Sequence, residues 1–303
     1  SRSHARPFAN PQSLTCDFPA NAENAMSCSS LGCLVALDVV RWRENAPPMA
    51  SDSFVYCHGL PGSPEEVFAF APQAVSAIAL RRLDRAAPSY RDAVLMAFDE
   101  AAASWQGRRT VLGFSLGAMA ALLVATARHE RVAKVILASP AAPLELGDFL
   151  PSMAGRAVFR AAADGDLHLR LLSSAQSVLL SANWNFLRSA MFLGISDIER
   201  EFISAPPVET AIRSGLQECL GRSQAAYRRE LSAYVRPWAK QLRDVRCPVE
   251  VWQGSADTWT PPAMASALCA AIGPLAKLNM CEGLGHYSTL RATLGALKPP
   301  ANP

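Results

Sequence analysis

The sequence predicts an α/β architecture: a mostly parallel twisted sheet with helices on both faces, and a helical segment inserted into it. Three observations carry this expectation. Short apolar runs alternate with stretches of helical periodicity, as strands buried on both faces require. The alternation stops near Pro143 and returns after Cys247-Pro248. Glycine-bearing turns stand directly after several of the strand-like runs.

Taken in order, residues 1–26 are polar and rich in Pro and Asn, which predicts a loosely attached lead-in. The run 34–40 reads as a strand following Gly32, and Phe54-Val55-Tyr56-Cys57 as a short buried strand ending in His58-Gly59-Leu60-Pro61-Gly62-Ser63. Residues 75–83 read as another strand. Ser89-Tyr90-Arg91-Asp92 resembles a capping box and opens a helix to about Trp105. A strand is expected over 110–114, a helix over 116–129 and a strand over 133–139, closed by Pro140. Residues 143–242 read as helices with apolar faces. Beyond them come strand 249–252, helix 262–272, strand 278–281 and helix 288–297. The expected organisation is therefore a lead-in over 1–26, a core over 27–142 and 243–298, and a helical cap over 143–242.

Composition narrows the function classes. A chain of 303 residues, 50% hydrophobic and 18% charged, can bury a large core and is too apolar for disorder. The net charge of +3 comes without any Lys/Arg block, so neither nucleic acid nor an anionic membrane is an expected partner. The apolar stretch 171–195 is broken by Asn183, Asn185 and Arg188, so no membrane span is expected. Eight cysteines lack any C-x-x-C spacing, which argues against zinc and for a reduced, cytoplasmic protein with thiols such as Cys57 and Cys247 in the core; Cys28 and Cys33 are close enough to leave a disulfide open.

The chemistry centres on Gly113-Phe114-Ser115-Leu116-Gly117, set between a strand and a helix. A serine on such a corner points its hydroxyl out of the sheet, while Gly113 and Gly117 remove Cβ atoms that would collide with strand and helix. The Leu116 amide, at a helix N-terminus, can donate to a developing oxyanion. A serine nucleophile needs a base and an orienter for that base. Of the five histidines, His4 lies in the lead-in, His129 at a charged helix end and His168 in the insertion. His58 reads as loop-shaping, together with Gly59. His286 remains, in Gly283-Leu284-Gly285-His286 after the last strand. For the acid, Asp257 in Gly254-Ser255-Ala256-Asp257 follows strand 249–252, with Glu145 and Asp148 as substitutes.

These four motifs, HGLPGS, GFSLGA, GSAD and GLGH, in this order, resemble those of the α/β-hydrolase superfamily over about residues 27–298, in its capped form. The resemblance implies a Ser115–His286–Asp257 triad, and a second oxyanion amide on Leu60 beside that of Leu116. It implies a capped serine esterase or lipase without metal or cofactor. Haloalkane dehalogenases and epoxide hydrolases of this fold carry an aspartate where this chain has Ser115. Proline iminopeptidases usually carry H-G-G-P-G where it has Leu60. The chain also departs from the family's D-R-x-G-x-G-x-S stretch, with Leu83-Asp84-Arg85-Ala86-Ala87-Pro88-Ser89.

The expected reaction is hydrolysis of carboxylic esters of small to medium, mostly apolar substrates. Alternatives of the same sequence are a slow triad-bearing receptor, an acyltransferase or a perhydrolase. Leu171, Leu172, Leu179, Leu180, Trp184, Phe186, Met191 and Phe192 are candidate pocket walls, although helical spacing of this kind more often marks core.

Overall fold

A computed structural model describes residues 53–71, 75–84 and 86–297, all within the unit Ala50–Pro303. The expected lead-in, the 34–40 strand and Cys16, Cys28 and Cys33 lie outside the described residues. Six strands, β1 (Phe54–Cys57), β2 (Ala77–Ala79), β3 (Arg109–Phe114), β4 (Val132–Ala138), β5 (Val249–Gly254) and β6 (Ala276–Cys281), form one sheet in the order β2-β1-β3-β4-β5-β6. Every neighbouring pair is parallel. Parallel pairing buries strands on both faces, and β1 is accordingly apolar and buried throughout.

Between the strands run α1 (Glu66–Phe70), α2 (Tyr90–Ala102) and α3 (Gly117–Ala127). Ser89 caps α2 by accepting from the Asp92 amide at 3.1 Å. Helix α3 is apolar on every side, Gly-Ala-Met-Ala-Ala-Leu-Leu-Val, and Gly117 to Ala125 are all buried, as a helix without a polar face must be. From β4 the chain enters α4 (Arg156–Asp164), α5 (Asp166–Ala182), α6 (Trp184–Met191), α7 (Asp197–Ser204), α8 (Pro206–Leu220) and α9 (Gln224–Tyr234) before β5. It closes with α10 (Pro262–Ile272) and α11 (His286–Ala296).

One strand is much shorter than its pattern. Of the expected 75–83 run the strand takes only Ala77–Ala79, with Ser76 and Leu80 adding one backbone bond each to β1, and Arg81 and Arg82 beyond it meet carboxylates. The helix expected from 288 begins at His286 instead. Cys57 and Cys247 are free and buried, as core residues. No helix among the described residues is long and apolar enough to cross a membrane.

The topology places a crevice. The chain steps from β1 outward to β2, then returns to set β3 against the other side of β1. Loops leaving the carboxyl ends of β1 and β3 therefore diverge at a switch point, where ligands bind in open α/β sheets.

Candidate active site

Ser115 follows β3 directly and has φ 54°, the left-handed region that a non-glycine residue enters only under constraint. The constraint is visible around it. The Ser115 amide donates to the Ala138 carbonyl at 3.1 Å, and its carbonyl accepts from Ala141 at 3.1 Å. A Cβ on Gly113 would lie 2.7 Å from the Gly117 carbonyl, and one on Gly117 would collide with the Cys57 carbonyl and lie 2.5 Å from that of His58. Neither glycine of the pentapeptide can carry a side chain, because the corner is packed backbone on backbone.

The loop after β1 lies against this corner. A Cβ on Gly59 would sit 3.1 Å from the Ser115 Cβ. His58 is wholly buried and its Nδ1 donates to the Gly59 carbonyl at 2.8 Å, within the loop. Burial, with the Arg82 charge adding to it, holds the His58 imidazole well below its ordinary pKa, which keeps it neutral. The amides of Leu60 and Leu116 donate to no backbone carbonyl among the described residues, and both residues line the same cavity as Ser115.

Two buried carboxylates hold this loop. Glu66 accepts from the Tyr56 hydroxyl at 2.7 Å and from the amides of Gly59 and Ser63, both at 3.2 Å. Burial pushes the Glu66 carboxyl up to about 7, against the pull of those three donors and of Arg82. Glu230, on α9, takes a bidentate bond from Arg82 at 2.7–3.0 Å, and Arg82 also donates to the His58 carbonyl at 2.8 Å. Both members of that pair are buried. Sequence reading missed Glu66, Arg82 and Glu230; the run from Leu80 to Arg82 read as strand, with no sign of a partner 148 residues away.

On the far side of the crevice, His286 begins α11 and is buried. Its Nδ1 lies 2.8 Å from Oδ2 of Asp257 and 3.3 Å from Oγ1 of Thr260. A carboxylate only accepts, so Nδ1 carries a proton, and in the neutral imidazole this leaves the lone pair on Nε2. Asp257 is fixed in turn by the amides of Trp259 and Thr260, at 2.8 and 3.0 Å, and by the Thr260 hydroxyl at 2.9 Å. Burial works to raise the Asp257 carboxyl, but His286 and these donors outweigh it and leave it below its ordinary value. The imidazole packs on Phe114, the residue before Ser115, with ring centroids 4.8 Å apart.

Of the substitute acids, Asp148 is exposed and Glu145 is engaged elsewhere. Glu145 accepts from the amides of Trp238 and Ala239 at 2.6 and 2.5 Å, in the segment that leads back to the sheet. The cavity beside Ser115 is walled by Met153, Val158 and Phe159 before and in α4 and by Tyr227 and Leu231 of α9. None of the eight expected wall residues lines it. Leu171 and Phe186 are exposed, while Leu180 and Phe192 are buried in the core. Which helix faces the sheet edge depends on docking between helices, which apolar spacing within one helix does not encode.

The sequence matches the family model for serine aminopeptidase, S33, over residues 80–289. No curated protein matches it significantly. Solved structures with a similar fold include Est816, an N-acyl homoserine lactone degrading enzyme, at 18% identity and TM-score 0.54, covering 82% of this chain and 92% of that one. A thermophilic esterase from Thermogutta terrifontis matches at 18% identity and TM-score 0.55, with 80% and 85% covered. A bromoperoxidase from Bacillus anthracis matches at 15% identity and TM-score 0.54, with 81% and 89% covered. A parallel sheet with its crevice at the β1/β3 switch point and a family match over more than half of the sequence place this chain in the S33 serine aminopeptidase family of α/β hydrolases.

Proposed function

We propose that the chain is a serine hydrolase that cleaves carboxylic esters of small to medium, mostly apolar acyl groups. Ser115 attacks the ester carbonyl while Nε2 of His286 takes its proton. The amides of Leu60 and Leu116 receive the oxyanion, and Asp257 stabilises the imidazolium. Collapse of the tetrahedral intermediate transfers the proton to the leaving alkoxide. Water, deprotonated by His286, then releases the acid and regenerates Ser115.

The observation that carries this reading is the cavity beside the left-handed Ser115. It is bounded by the Leu60 and Leu116 loops and contains no charged side chain. An apolar acyl group fits such walls at no desolvation cost. A substrate ammonium, as an aminopeptidase must hold, finds no carboxylate among the lining residues. The helical insertion, which supplies Phe159, Tyr227 and Leu231 to the walls, then acts as a cap that sets acyl size.

Incubation with a fluorophosphonate, followed by peptide mapping, is expected to modify Ser115 and to abolish turnover of p-nitrophenyl esters. Ser115→Ala is expected to remove both. Hydrolysis of amino-acid amides in preference to esters would overturn the ester assignment, and modification elsewhere would overturn the nucleophile.

A further inference from the structure

Helix α11 carries the proposed base at its first position, and its N-cap residue, Gly285, has no side chain to accept from the first-turn amides. The free amides are taken from outside. Glu199, on α7 of the insertion and only 1% exposed, accepts from the Tyr287 amide at 2.7 Å, from the Ser288 amide at 2.9 Å and from the Ser288 hydroxyl at 2.6 Å. Ser288 in turn accepts from the Gly285 amide at 2.8 Å, so the carboxylate organises the whole first turn. A second observation shows how closely it is fitted. A Cβ on Gly285 would lie 2.7 Å from both Cδ and Oε2 of Glu199. The glycine before His286 is thus the space that this carboxylate occupies. Three donors and the positive end of a helix dipole compensate its burial.

We propose that Glu199 is a positioning residue for His286, through which the helical insertion holds the imidazole in register with Asp257 and Ser115. This rests on the reading of His286 as the base. Asp257 fixes the ring at Nδ1, at 2.8 Å, and the Ser139 hydroxyl donates to the His286 carbonyl at 3.1 Å. Glu199 adds a hold from the insertion on the two residues that follow. The insertion then completes the base as well as walling the pocket, and any movement of α7 is passed to the imidazole.

The test uses the full chain, with Glu199→Gln, which keeps the side chain's size, and Gly285→Ala, which pushes an intact carboxylate aside. Two readouts are taken on each. Turnover of p-nitrophenyl esters, normalised to fluorophosphonate-titrated sites, is expected to fall by about 10- to 100-fold in kcat with KM within about twofold, the cost of a misplaced catalytic group. In ¹⁵N-labelled protein the His286 imidazole is expected to be held as the Nδ1–H tautomer in the parent and as a mixture of tautomers in the variants. The tautomer decides the matter. A population unchanged in both variants overturns the proposal even if melting temperature or turnover drops, because a purely structural clamp would do that much. If the parent turns over no ester, the proposed reaction fails, while the tautomer populations still decide on Glu199.

Discussion

The carboxyl edge of the sheet and the helical insertion fix the same site by opposite means. At the sheet edge part of the geometry is set within a few residues, beside contacts between neighbouring strands. Ser115 is held between Gly113 and Gly117, and Asp257 is held by amides two and three residues further on. In the insertion the contacts are remote. Glu199 meets amides 88 and 89 residues away, and Glu230 meets a guanidinium 148 residues away. Local geometry forms with the turn itself, whereas a remote buried carboxylate is tolerable only once its partner has arrived. The edge should therefore carry most of the rate, and the insertion most of the coupling between the two regions.

Asp257→Asn gives the largest expected effect. An amide at this position can keep its oxygen on the Trp259 and Thr260 amides but no longer imposes the Nδ1–H tautomer on His286. The expected loss in kcat is about 10⁴-fold, with the fold intact by circular dichroism. A loss below tenfold on the p-nitrophenyl ester panel would mean that packing against Phe114 alone aligns the ring, and the division between edge and insertion would collapse.

Glu230→Gln tests the other side. It leaves Arg82, with its side chain fully buried, without a countercharge, and the expected destabilisation is about 3–5 kcal/mol in urea unfolding. Replacing Arg82 and Glu230 together by Met and Leu should recover most of that stability, yet loosen the His58 carbonyl that Arg82 also holds. A single-variant loss under about 1 kcal/mol would show water reaching the pair, and would remove the insertion's claim to couple the regions.

The same contrast explains what could be read in the sequence. Gly-Phe-Ser-Leu-Gly, the turn at Asp257 and the Gly-Leu-Gly-His loop are legible because the glycines and the proposed reactive residue are adjacent in the chain. Strands β1 and β3 are legible because an unbroken apolar run has few other uses. The 75–83 run misleads because Arg82 belongs to a partner in α9, and the cavity walls mislead because Phe159 and Leu231 face Ser115 only through helix docking. Glu199 and Glu230 look like ordinary surface residues of amphipathic helices until the sheet is beneath them. Gly285 held a hint, since a glycine before the proposed base implies that something occupies the place of its Cβ.

Glu66 supplies the finest comparison, with Glu230. Both are buried carboxylates that brace the loop after β1, but Glu230 has a direct guanidinium partner and Glu66 has only a phenol and two amides. Burial accordingly lifts Glu66 to about 7. A carboxyl whose folded pKa lies above its unfolded one binds a proton more tightly when folded, so it favours folding most at low pH. That contribution is complete below about pH 4.5 and is lost as pH rises to about 7, a decline of about 3 kcal/mol. Unfolding in urea across this window should show the decline in the parent and a flatter profile in Glu66→Gln, which keeps an acceptor for Tyr56 but cannot titrate. Identical slopes would place the Glu66 proton off the folded protein throughout. Backbone donors at the sheet edge would then compensate a buried charge as fully as Arg82 does for the insertion.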